Sequence, residues 1–249
     1  MSDFVVKEGV LQKYIGTSKE VSIPVEVTTI GENAFEAAET LATVVLHDKL
    51  QTIESFAFFG QAKLVSINIP PSLTYIGDHT FAFCSGLTHF EFPPNISKIS
   101  DGTLTECNQL ENVHIPESVT QIGAWAFCGC KQLKHVNLPD TIYEMQFMSF
   151  SGSGIKSINL PRSLLVIDHC VFAECGCLSS VNIPKTVRYV CPGAFLRCHN
   201  LKSVTFEGEL TEIHESAFEG SNSVVIRAKS NSAAARFAQE HGISYEIIE

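Results

Sequence analysis

The stretch IGAWAFCGCKQLKHVNLP, residues 122–139, carries the pattern that governs this chain. Its isoleucine, Ala-Phe pair, cysteine, leucine and closing V-x-L-P return every 23 residues along almost the whole sequence. The phenylalanine column reads Phe35, Phe58, Phe81, then Leu104, then Phe127, Phe150, Phe172, Phe195 and Phe218. Self-similarity at a fixed period of about 20–29 residues marks a solenoid whose coils stack around one continuous core. Such a protein works by presenting a surface, so a binding face is a better first target than a catalytic centre.

Four residues before each Ala-Phe pair's alanine lies an aliphatic column that includes Ile30, Ile53, Ile76, Ile99, Ile122 and Met145. The apolar spacing from isoleucine to Ala-Phe predicts a short helical turn. A leucine column, Leu41, Leu64, Leu87, Leu110, Leu133, Ile155, Leu178 and Leu201, opens the segment L-x-x-V-x-I. Alternation in that segment predicts a short strand with one buried face, and stacked coils then give a parallel sheet. The predicted strands include Val44–Leu46, Ser66–Ile69, His89–Phe92, Asn112–Ile115, His135–Leu138, Ser157–Leu160, Ser180–Ile183 and Ser203–Phe206. Proline ends most of them, at Pro70, Pro93, Pro116, Pro139, Pro161 and Pro184, because it has no N–H to extend a ladder. A second short extended piece leads back to the isoleucine column.

A stack of this kind needs caps. Phe4–Val6 and Val10–Tyr14 around a central glycine read as a hairpin, followed by a half repeat at Val21–Pro24. At the other end, Ser232 caps an alanine-rich helix closed by Gly242, and a last strand follows. The expected organisation is one unit: cap and half repeat over 1–26, repeats over 27–226, and a C-terminal cap over 227–249. One coil is a residue short between Phe150 and Ile155, which predicts a tightened turn at Gly152-Ser153-Gly154.

Of the 249 residues 45% are hydrophobic and 18% charged, which places the chain among folded proteins. Its net charge of −10 is dispersed, with no basic cluster for phosphates or anionic lipid, so neither nucleic acid nor a membrane surface is an expected partner. No apolar run is long enough to insert into a membrane. The first residues lack the sections of a signal peptide, which points to the cytoplasm unless a leader has been removed. Nine cysteines cannot all pair with one another. Cys84, Cys107, Cys130, Cys175 and Cys198 share one column with Gln61, Ser153 and Ser221 and read as packed structural thiols. Cys128-Gly-Cys130 and Cys175-Gly-Cys177 have C-x-C spacing, not the C-x-x-C of metal ribbons and redox sites.

Residues 122–133 and the segment Val136–Pro139 resemble the repeat of the BspA-like leucine-rich-repeat family almost position for position. The resemblance covers roughly residues 18–226, and Ala233–Gly242 is similar to a terminal cap that follows such arrays. It implies an α/β repeat fold: a right-handed leucine-rich-repeat solenoid with short parallel strands, short helical turns, an N-terminal hairpin cap and a C-terminal helix-strand cap. It also implies surface proteins of bacteria and protozoa that adhere to host matrix. Cell-surface or secreted placement would follow for a chain whose leader had been removed.

The strand face turned away from the core brings His89, Glu91, Asn112, His114, His135 and Asn137 onto neighbouring strands about 4.8 Å apart. Imidazoles, amides and a carboxylate in one patch suit contact with a protein or peptide. The alternative is a solvated polar face with an amide ladder. No tetrahedral ligand spacing is present there, so no metal and no cofactor is assigned. Phe56, Trp125, Phe147 and Met148 lie on the turn edge outside the core columns. They read as covers over gaps between turns, or with Tyr75, Tyr143 and Tyr189 as an apolar lateral patch. No nucleophile motif, phosphate loop or metalloprotease signature occurs. The expectation is a non-enzymatic scaffold for a protein or peptide partner. Its rivals are an adhesin-type protein for host matrix or glycan and a metal-dependent module on the histidine patch.

Overall fold

A computed structural model describes residues 3–209 and 211–249; Met1 and Ser2 of the expected N-terminal cap, and Leu210, lie outside the described residues. Most full coils contribute to two parallel ladders. The first contains Thr43–Val45, Ser66–Ile67, His89–Glu91, Asn112–His114, Ser157–Asn159, Ser180–Ile183 and Ser203–Phe206. The second is built from two-residue strands such as Thr52–Ile53, Tyr75–Ile76, Gln121–Ile122 and Tyr189–Val190. Pairing is parallel with a one-coil offset, as in Ser157 opposite Ser180 and Ser180 opposite Ser203. Alternation does what the sequence requires: Phe90 is buried between exposed His89 and Glu91.

The expected helical turns are not formed. Residues from the isoleucine to the cysteine column make successive turns, and the only α-helix among the described residues is Ala233–Glu240 in the C-terminal cap. The reason lies in left-handed positions, two in each coil from Phe56 to Arg197. Trp125 (φ 55°) and Gly129 (φ 73°) hold one central coil, Phe56 (φ 59°) and Gly60 (φ 74°) an earlier one. Left-handed residues cannot propagate a right-handed helix. Backbone donors alternate instead. The N–H groups of Trp125, Phe127 and Gly129 donate to the carbonyls of Phe147, Ser149 and Ser151 on the next coil, at 2.8–3.0 Å. Those of Ala126, Cys128 and Cys130 donate three residues back, within the turn. Every second amide therefore stitches coil to coil.

The phenylalanine column lies at the centre of the core and is almost wholly buried. Phe35 stacks on Phe58 at 4.5 Å and Phe58 on Phe81 at 5.3 Å. Phe127, Phe150, Phe172, Phe195 and Phe218 stack in the same way, at 5.0–5.8 Å. Leu104 interrupts the series, and the strand before it fills the gap. Phe90 meets Phe81 at 5.0 Å, Phe92 meets Phe90 at 4.8 Å, and Phe92 reaches Phe127 at 6.3 Å. Most other coils carry aliphatic side chains where Phe90 and Phe92 stand.

The cysteine column is a donor column as well as a packed one. The Cys84 thiol donates to the Phe58 carbonyl and Cys107 to Phe81, each at 3.2 Å; Cys198 reaches Phe172 at 3.0 Å. Gln61 donates to Phe35 at 2.8 Å and Ser221 to Phe195 at 2.6 Å from the same column. Cysteine, serine and glutamine interchange because each satisfies a buried carbonyl of the preceding coil. All nine cysteines are unpaired thiols.

The caps follow expectation. Phe4–Lys7 and Val10–Tyr14 form an antiparallel hairpin, with Glu8 and Gly9 at φ 51° and 78°. Its second strand continues the two-residue ladder by pairing with Thr29–Ile30. At the far end Ser232 accepts the Ala235 N–H at 3.2 Å, and Ser244–Ile248 pairs with Val225–Lys229.

One predicted strand is absent. His135–Leu138 keeps the alternating burial, with Val136 inside, but forms no ladder. The first sheet thus divides into Glu20–Ile67, His89–His114 and Ser157–Ile248. The shortened coil explains the loss on one side. Gly154 packs under Lys131 and Leu133, and the backbone bond crossing this step, Lys156 to Lys134 at 3.1 Å, falls just before the strand positions.

Two outcomes follow. Phe127→Ala and Phe92→Ala should each lower the unfolding free energy by about 3–5 kcal/mol in urea titrations, because both rings fill the same column of space. The second outcome concerns alkali. Burial pushes the Cys84 and Cys198 thiols up to about 12, and burial, aided by neighbouring thiols, raises Cys107 well above its ordinary value. Raised thiols leave the folded state holding protons that the unfolded chain gives up. Stability is therefore full below the unfolded value of about 8.5–9 and falls as pH rises toward the folded values. The urea midpoint should drop between about pH 8 and pH 10.5, and replacing Cys84, Cys107 and Cys198 with serine should flatten that slope.

Candidate interaction surfaces

The strand face delivers four of the six predicted residues as one paired unit. His89 lies opposite Asn112 and Glu91 opposite His114, with all four side chains exposed. The Asn112 amide donates to His89 Nε2 at 3.1 Å, and Thr88 Oγ1 lies 2.9 Å from Nδ1. Those partners place the imidazole proton on Nδ1, donating to the threonine oxygen. A ring held from both sides loses less freedom when it meets a partner.

His135 and Asn137 are exposed on the same side, but on the segment that forms no strand. Among the described residues no ladder ties them to Asn112 and His114, so the patch is a fixed pair of strands with an irregular extension. Beyond it, Ser157, Ser180 and Ser203 stand in one outward row, and Asn159, Asn182 and Thr205 in the other. Between Thr43 and Thr205 Glu91 is the one formal charge in these two rows, with Glu20 at one end and Arg227 and Glu246 at the other, so the middle of the face offers hydrogen-bonding groups and little electrostatic steering. The patch also does not bring three metal-ligating atoms together; among the described residues only Asp168, His169 and Cys191 do.

A second surface runs along the turns. Phe59 and Phe83 are 42% and 46% exposed, and their rings meet edge to face at 5.3 Å. Phe56 lies 5.7 Å from Phe59 and stacks on His79 at 5.2 Å. Two coils further on, Trp125 is 38% exposed and meets Phe147 at 5.5 Å. Phe56, His79, Trp125 and Met148 share one left-handed column, and Phe83 belongs to the other. The left-handed backbone carries these side chains along the edge of the stack. Sequence reading found Phe56, Trp125, Phe147 and Met148 but missed Phe59 and Phe83. The available signal was Phe83 in a column otherwise filled by Gly60, Glu106, Gly129, Gly152, Glu174, Arg197 and Gly220. Tyr75 and Tyr189 lie on the two-residue ladder and Tyr143 just before it, and no ring contact joins them to this ridge among the described residues. Tyr143 instead accepts a hydrogen bond from Gln121 at 2.9 Å.

Comparison with known proteins agrees with this geometry. The BspA type leucine rich repeat region matches in six copies, over residues 13–123 and 97–225. The chain belongs to that family. No curated protein matches it. Among solved structures, a leucine-rich repeat protein from Bacteroides ovatus is similar at a TM-score of 0.53 and 20% identity, over 93% of this chain and 87% of that one. The T. pallidum leucine-rich repeat protein gives 0.53 at 22% identity, over 77% and 82% of the two chains. The pneumococcal vaccine antigen PcpA gives 0.54 at 12% identity, over 98% and 96%. At these identities the likeness to solved structures is one of fold. BspA-type repeats are a scaffold, and no helix among the described residues is long and apolar enough to cross a membrane.

Proposed function

We propose that this BspA-type chain is a non-enzymatic interaction scaffold whose polar strand face binds a protein or an extended peptide. The contact centres on His89, Glu91, Asn112 and His114, with His135 and Asn137 at its irregular edge. One observation carries the reading: two paired strands hold the four side chains in fixed register on the exposed face, with His89 clamped between Asn112 and Thr88. The later coils offer repeated Ser and Asn and discriminate less. Donors and acceptors on this patch, where Glu91 is the one formal charge, select a partner through complementary hydrogen bonds, because each polar group left unpaired on binding lowers affinity.

The turn ridge supports a second reading. Exposed aromatic side chains in contact with one another are the residue types that dominate protein interfaces. Phe59 and Phe83 are the exposed centre of that ridge.

The two surfaces separate by mutation. A partner captured from the native source with the full chain is titrated against wild type, against His89→Ala/His114→Ala/His135→Ala, and against Phe59→Ala/Phe83→Ala. The triple change should weaken binding tenfold or more, equivalent to about 1.4 kcal/mol, while the ridge pair stays near wild type. The reverse pattern assigns binding to the ridge. Wild-type affinity in both variants overturns both readings.

A further inference from the structure

In each coil the residue after the isoleucine column faces the same column one coil away. In the earlier coils it reads Gly31, Glu54, Gly77, Ser100, Gly123 and Gln146, and a Cβ added at Gly77 would collide with the Ser55 backbone nitrogen. In the last coils the column changes character and reads Asp168, Cys191, His214. The ladder pairs Val166 with Tyr189 and Ile167 with Val190, and the Cys191 N–H donates to the Ile167 carbonyl at 2.9 Å. Asp168 and Cys191 therefore sit directly above one another across one strand spacing. His169, next in sequence, turns its Nδ1 to 2.7 Å from Asp168 Oδ1. One carboxylate oxygen, one imidazole nitrogen and one thiol sulfur all lie within 4.8 Å of one another.

We propose that Asp168, His169 and Cys191 form a binding site for a borderline-soft divalent cation of the zinc class. The donor set selects the ion. A sulfur and an imidazole favour zinc, cobalt or nickel over magnesium and calcium, which take oxygen ligands. Metal–ligand bonds of about 2.0–2.3 Å place tetrahedral ligand atoms about 3.5 Å apart, so the imidazole has to swing away from the carboxylate, which it now meets at 2.7 Å, by about 1 Å and toward the thiol. His169 is free to do so, being half exposed with 54% of its side chain accessible. Cys191 is buried and anchored in the ladder. On binding, the thiol gives its proton to solvent and the thiolate takes its place on the metal. One thiolate and one carboxylate then balance a divalent charge. His214, one coil on, is held by Ser216 at 2.9 Å and lies outside the cluster, which leaves a fourth position for water. The ion would clamp two adjacent coils of the two-residue ladder, a role separate from either interaction surface.

Cobalt(II) is the probe. The reduced, chelator-treated full chain is titrated with it while thiolate-to-metal charge-transfer absorption is followed. One equivalent should bind, the band should vanish in Cys191→Ser, and affinity should fall at least tenfold in Asp168→Asn and in His169→Ala. Zinc should displace the cobalt. Cys170→Ser and Cys177→Ser should titrate like wild type. Circular dichroism establishes that each variant is folded, and exposed His169 provides the variant least able to disturb folding. Absence of the band, its survival in Cys191→Ser, wild-type affinity in His169→Ala, or its loss with Cys170 or Cys177 would overturn the assignment.

Discussion

Everything in this molecule depends on one aromatic ring being covered by another from the next coil. A coil of this length is too thin to bury its own phenylalanine. The stack supplies the missing faces, at ring separations of 4.5–5.8 Å along its two regular runs. Burial of such large apolar surfaces is the main favourable term in folding. Close approach then brings each backbone within hydrogen-bonding distance of its neighbour. The alternating amides of the turns and the two parallel ladders use that proximity. Where the column lapses at Leu104, Phe90 and Phe92 restore ring contact from the strand side.

The same stacking explains the cysteines. A solenoid buries carbonyls along its turn edge, and most of these take one backbone N–H from their own turn, as Phe58 does from Gln61 and Phe35 from Ala38, and have room for a second donor. A thiol, hydroxyl or amide from the cysteine column supplies one. The column is constrained by reach and by the need for a donor, not by redox chemistry. Cys191 stands outside that column, and its partners are a carboxylate and an imidazole, which gives it a different chemistry from the structural thiols.

The two candidate surfaces arise from two regularities of the backbone. Period-two alternation puts His89, Glu91, Asn112 and His114 on the outward side of paired strands. Left-handed turn residues carry aromatics to the edge, where the coil has no further layer to bury them. The irregularity at His135–Leu138 falls between the histidine strands and the shortened coil, and a second break separates Ser66–Ile67 from His89–Glu91, so the polar face is not one continuous sheet but three.

The sequence by itself determined the coil period, the core columns, both caps and the outward direction of the strand-face residues. Each follows from a local repeat, because a side chain's direction is set by alternation and by its column. Tertiary structure alone decided the rest. The turns are not helical because left-handed residues, two in each coil from Phe56 to Arg197, send every second amide to the next coil, a choice invisible in apolar spacing. His135 and Asn137 lie on a segment that pairs with neither neighbouring strand, and on one side the adjoining coil is a residue short. Phe83 joins Phe59 only across coils. Asp168, His169 and Cys191 converge only because a 23-residue separation in sequence becomes one strand spacing in the stack.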